Sequence, residues 1–134
     1  MVDRKESNAT GLLHMILLIT LLTIKHFICD FLYQPPYMWQ NKGTYGHIGG
    51  ILHSTFHASV TFFILSVLFP AALLSHISAL ALGEFIIHYH MDWFKMNYNK
   101  KKGWGPTTHN EFWVLLGVDQ LVHSLTYIAI CALV

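Results

Sequence analysis

Apolar runs dominate the chain, and the few polar positions inside them recur at helical spacing. Gly11 to Ile24 is apolar apart from His14, Thr20 and Thr23. Between Gly43 and Gly83 there is no Asp, Glu, Lys or Arg. Phe112 to Val134 is again apolar, broken by Asp119, Gln120, His123, Ser124 and Thr126. The pattern predicts four helices, over 10–34, 47–69, 71–95 and 111–134. Thr10 is a candidate cap for the first, and Pro35-Pro36 stops it. Pro70 separates the second from the third, and Thr107, Thr108 and Asn110 are candidate caps for the fourth. Each helix spans about 35 Å at the standard rise, which suits a bilayer.

Composition turns this pattern into a membrane protein. The chain has 134 residues, of which 54% are hydrophobic and 11% charged, with a mean hydropathy of +0.45. Soluble domains carry about twice that charged fraction. The expected fold class is all-α: one polytopic membrane domain over 1–134, an up-down bundle of about four transmembrane helices. The first apolar run resembles a signal peptide, but it continues through Lys25, His26, Cys29 and Asp30 without a small-residue cleavage site. It is read as an uncleaved first helix. Cys29 and Cys131 sit in apolar segments and are read as small buried residues. A net charge of +1 implies no broad basic surface for nucleic acid.

Charge asymmetry orients the bundle. Loops 35–46 and 96–110 share one side in an up-down arrangement and hold Lys42, Lys100, Lys101 and Lys102, with Lys95 at the third helix's end. The other side has Arg4 and Lys5, offset by Asp3 and Glu6. Excess Lys and Arg mark the cytoplasmic side, so these loops are expected in the cytoplasm of a cell inner membrane, with both termini outside. Trp39, Trp93, Trp104 and Trp113 all fall near the lysine side, as half of an aromatic belt. Ser75, Ala79 and Gly83 form a small-residue stripe that would let a helix approach closely, within the chain or in a homo-oligomer.

The candidate chemistry lies in polar pairs four residues apart, which share one helix face. The first helix has His26 and Asp30, with Gln34 one turn on; the second has His53 and His57. The third has His88 and Asp92, with Glu84 one turn back; the fourth has Asp119 and His123. In the up-down arrangement all eight reach a similar depth on the lysine-loop half. Ionisable residues in hydrocarbon cost about 2.5–3.5 kcal/mol each on insertion scales, and a bound cation offsets that cost by direct bonds. Imidazole and carboxylate without thiolate suit one or two divalent ions of zinc, manganese or iron. The expected metal ligands are therefore His26, Asp30, His53, His57, His88, Asp92, Asp119 and His123. Glu84 and Asp119 are the expected catalytic carboxylates, with helix packing the alternative for Glu84. Lys95 is expected to snorkel to the headgroups or to meet a substrate anion. Gln120 is expected to bond a neighbouring helix. His14, His47, His76, His90 and His109 fall outside the pattern.

Taken together, His26-x3-Asp30-x3-Gln34, Lys42, His53-x3-His57, His88-x3-Asp92-x2-Lys95 and Asp119-Gln120-x2-His123 resemble a family of small bacterial and phage membrane proteins catalogued as a domain of unknown function. The resemblance runs from the first helix to His123 and implies a four-helix inner-membrane protein, without implying an activity. A more distant likeness of motif type is to bacterial membrane-bound metal-dependent hydrolases. The expected function is a metal-dependent hydrolase acting on a phospholipid or other amphiphile near the cytoplasmic face, with the lipid bilayer as the surrounding partner. The alternatives are a divalent-metal or proton transporter, a di-iron lipid oxidase, and an interaction protein whose polar cluster is structural.

Overall fold

A computed structural model describes residues 4–134, with side chains from residue 8 onward. The elements are α1 (Arg4–Phe27), a π-helical turn (Ile28–Leu32), α2 (Pro36–Trp39), α3 (Ile48–Leu68), α4 (Leu74–Lys102) and α5 (Asn110–Leu133). No strand occurs among the described residues. The long helices form a ring in which α1 touches α3 and α5, and α4 touches α3 and α5. The diagonal pairs are α1 with α4 and α3 with α5. The fold is the expected all-α membrane bundle.

The interior is inverted relative to a soluble protein. Among the described residues, thirteen buried side chains are polar or charged, against ten that are hydrophobic, while residues such as Leu13, Leu32, Phe63, Leu73 and Leu133 are more than half exposed. Water would not tolerate that apolar outer surface, whereas lipid matches it. Among the described residues, three helical segments, Asn8–Leu32, Ile48–Leu68 and Asn110–Leu133, are long and apolar enough to cross a membrane. α4 is the fourth long helix. Its hydropathy is diluted by Glu84, His88 and Asp92, all of which are buried, and by the basic turn Lys100–Lys102.

Several boundaries differ from the sequence expectation. α1 begins at Arg4, so Thr10 lies inside it. The charges expected from Asp3, Arg4, Lys5 and Glu6 lie outside the described side chains. The first helix does not run as an α-helix to Gln34. Its last turn widens to a π-turn, with the Tyr33 N–H bonded to the Ile28 carbonyl at 2.7 Å, and this turn carries Asp30. π-turns accommodate an extra residue and re-aim side chains. Pro36 then starts the short α2, taking the first helical position where its missing N–H costs nothing. α4 extends seven residues past Lys95 to Lys102 and is closed by Gly103 in the left-handed conformation (φ 67°), as C-terminal glycines commonly do.

The connection between α2 and α3 folds back over the bundle. A Cβ at Gly49 would lie 2.4 Å from the Tyr37 carbonyl, so only glycine lets α3 start this close to α2. The Asn97 side chain donates to the Gly43 carbonyl at 2.8 Å, and Gly46 N–H donates to the Tyr89 hydroxyl at 2.6 Å. These bonds tie the loop to α4 and place Lys42 inside the bundle, 6% exposed.

At the opposite end the core is apolar. Leu18, Leu22, Leu65, Ile77, Tyr127 and Ile130 form one buried cluster. The stripe of Ser75, Ala79 and Gly83 does not serve packing within the chain. Ser75 and Ala79 are exposed, and a Cβ at Gly83 would meet nothing within 4 Å.

Candidate metal centre

All eight residues singled out from their spacing converge in one buried cluster. The i, i+4 spacing supplies each pair, and the antiparallel course of the helices brings the pairs to one level. Within it, three sets of side chains bring ligand-capable atoms within 4.8 Å of one another: Asp30, His53, His57 and His88; His26, His88 and His123; and Asp92, Asp119 and His123.

The first set offers the most ligand atoms, four against three in each of the others. Asp30 Oδ1 is 2.9 Å from His53 Nε2, 3.4 Å from His57 Nε2 and 3.8 Å from His88 Nε2. His53 Nε2 and His88 Nε2 are 2.9 Å apart. Ligands about 2.0–2.1 Å from a tetrahedral zinc lie about 3.3 Å from each other, and these separations bracket that value. Two neutral imidazoles can share at most one hydrogen bond between facing nitrogens. A third imidazole nitrogen and a carboxylate oxygen at the same spot make a lone-pair-rich set of the kind a cation can fill, and the Lys42 ammonium lies 3.4 Å from Asp30 Oδ1.

Asp30 also faces outward. Its Oδ2 is 3.2 Å from His26 Nε2, and Gln34 donates to its Oδ1 at 3.3 Å. His26 is further held by the Tyr127 hydroxyl at 3.0 Å and by Gln120 Oε1 at 3.0 Å. Gln120 therefore bonds a neighbouring helix, as its position suggested, and joins the cluster by doing so.

Three lysines lie among the carboxylates. Lys42 Nζ is 2.7 Å from Asp92 Oδ2 and 3.4 Å from Asp30 Oδ1. Lys95 Nζ bridges Asp92 Oδ1 at 2.9 Å and Asp119 Oδ2 at 2.7 Å. Lys95 thus turns inward, and the expectation that it snorkels to the headgroups gives way to an ion-paired position. The pull of two carboxylates exceeds that of the interface. Lys25 pairs with Glu84 and donates to Thr61 Oγ1 at 3.0 Å, while its ammonium sits 4.7 Å from the Tyr127 ring centroid. Glu84 Oε1 is 4.0 Å from His57 Nδ1, on the side of the ring away from Asp30. This pair forms the floor of the cluster, between the histidines and the apolar core.

Sequence reasoning did not place Lys25 or Tyr127 in the cluster. Lys25 falls one residue before His26 in an otherwise apolar run, and that was the available signal. A lysine deep in a span requires a buried acid, and Glu84 is the acid at matching depth. Of the histidines outside the pattern, His90 contacts Tyr45 at the surface at 3.2 Å, and His76 contacts the Leu133 carbonyl at 2.7 Å.

The family described as a protein of unknown function (DUF3307) matches residues 12–134. The chain belongs to that family. No curated protein and no solved structure matches it. The matched span holds every residue of the cluster, from Lys25 to Tyr127.

Proposed function

We propose that the chain is a membrane-embedded metal-binding protein that holds one divalent cation through Asp30, His53, His57 and His88, and uses it to hydrolyse an amphiphile at the lysine-loop face. The observation that carries the metal is the convergence of three Nε2 atoms and one carboxylate oxygen at near-tetrahedral separations. Charge disfavours a second ion. The cluster has four carboxylates (Asp30, Glu84, Asp92, Asp119) and three ammonium groups (Lys25, Lys42, Lys95), a balance of −1 with neutral histidines. One dication brings it to +1, and two would bring it to +3. Imidazole-rich oxygen and nitrogen ligation suits zinc, manganese or iron.

Hydrolysis is favoured over transport by the one-sided surroundings. Behind the Lys25–Glu84 pair, Leu18, Leu22, Leu65, Ile77 and Ile130 close the bundle with apolar side chains, and a carrier needs polar access from both faces. Towards the lysine loops, the half-buried polar side chains Gln34, Lys95 and Gln120 rim the cluster. That rim reaches the headgroup layer, where a phospholipid or similar amphiphile presents its ester bonds. A bound metal there would supply a deprotonated water and polarise a phosphoryl or acyl oxygen. His26 is the chain's candidate to accept a proton, at Nδ1 on the Tyr127 hydroxyl, since its Nε2 faces the acceptors Asp30 Oδ2 and Gln120 Oε1 and carries the hydrogen. Glu84 Oε1 lies 4.0 Å behind His57 Nδ1, beyond hydrogen-bond reach, and is held by Lys25. The lysine loops face the cytoplasm of a bacterial inner membrane under this reading.

The test is to reconstitute purified protein with zinc, manganese or iron in phospholipid vesicles and follow lipid products by mass spectrometry. Product formation that depends on metal and is lost in His57→Ala supports the proposal. No product with any of the three metals, together with accumulation of radioactive metal inside the vesicles, replaces the hydrolase by a carrier.

A further inference from the structure

The third set of convergent ligand atoms, Asp92, Asp119 and His123, has the composition of a second metal position beside the first. Two-metal hydrolytic centres place such positions next to each other. Here a side chain of the protein already stands among the ligands. The Lys95 ammonium lies 2.9 Å from Asp92 Oδ1 and 2.7 Å from Asp119 Oδ2. It joins two carboxylates from α4 and α5, which a bridging cation would otherwise join. The second oxygen of Asp92 is taken by Lys42 at 2.7 Å. His123 is 2% exposed, and its Nε2 has no hydrogen-bond partner, lying 3.3 Å from Asp119 Oδ1. A buried imidazole nitrogen aimed at a carboxylate pair is the remaining donor of a metal triad.

We infer that Lys95 is a built-in cation that occupies the second metal position, so that the centre holds one ion where its ligand set has the makings of two. This rests on the reading of Asp30, His53, His57 and His88 as the first position. An ammonium is a compact point charge with three donors and substitutes for a small cation between carboxylates. It differs from a metal in one respect that matters for function. It is permanently tethered, so the second position is independent of metal supply, and Lys95, 15% exposed at its side chain, stays near the polar rim where a substrate anion would approach. Removing the ammonium leaves Asp92 and Asp119 buried with one positive charge fewer, and breaking one partner of a buried pair is strongly unfavourable. A dication is then drawn to the vacated triad.

The experiment is metal stoichiometry by elemental mass spectrometry on detergent-purified chains, grown with and without added zinc and manganese. Wild type is expected to carry one equivalent, Lys95→Met two, and Lys95→Arg one, because arginine restores the cation. Recovery of folded Lys95→Met only from metal-supplemented cells also supports the inference, since metal then replaces the lost charge. One equivalent in Lys95→Met, two in wild type, or a Lys95→Met chain absent from membranes under both growth conditions overturns the inference and leaves the first site standing. Folded wild type that takes up no metal at all overturns the first site itself.

Discussion

On the lysine-loop side of the Lys25–Glu84 pair, the four long helices meet through His26, Asp30, His53, His57, His88, Asp92, Asp119 and His123. On the other side they meet through Leu18, Leu22, Leu65, Ile77 and Ile130. The two halves are cohesive for different reasons. In lipid, apolar side chains gain nothing from leaving water, so the apolar half is held by close packing alone. The polar half is held because each of its charged groups would be costly without its partners. Perturbations should therefore differ in kind: graded and local in the apolar half, severe and sign-dependent in the polar half.

The largest effect is expected at Asp30, which stands between three imidazoles, His26 and Lys42. Asp30→Ala should reduce bound metal from the proposed one equivalent to less than about a tenth, since the carboxylate is the anionic member of the proposed ligand set. Metal analysis of the purified variant checks this. The next effect is expected at the floor. Lys25→Met leaves Glu84 buried without its cation and should cost about 3–5 kcal/mol. The double replacement Lys25→Met with Glu84→Leu should recover most of that loss. Unfolding in mixed detergent micelles measures both, and a double variant as unstable as the single would remove the charge argument. In the apolar half, Leu65→Ala should cost about 2–3 kcal/mol through the cavity it opens, with metal content unchanged. The smallest effect is expected for Tyr127→Phe. It deletes the hydroxyl that faces His26 at 3.0 Å and should cost about 1 kcal/mol, the usual net worth of one hydrogen bond, with metal retained.

The same division explains what could be read from the sequence. The eight His and Asp residues were legible because a helix converts four-residue spacing into a shared face, and an up-down course converts position along each helix into depth. The order of helices around the ring was not legible, because every pair carries the same kinds of groups and spacing says nothing about which pairs adjoin. Lys42 and Lys95 were read as loop and interfacial charges, since lysines near helix ends usually reach for headgroups. Their inward course depends on carboxylates from other helices and on a loop that folds back over the bundle through Gly49. The continuation of α4 to Lys102 was hidden because its last two turns are polar, and hydropathy marks the membrane boundary rather than the helix end. The π-turn at Ile28–Leu32 had no signature, because its residues are as apolar as those of the α-helix before it.

The central claim is that Asp30, His53, His57 and His88 form a metal centre. Metal content per chain of folded, detergent-purified wild type beside His57→Ala tests it most directly. One equivalent of zinc, manganese or iron in wild type, absent from an equally well-folded His57→Ala, is the predicted result; a folded wild type that carries no metal and gains none when it is supplied would contradict the account.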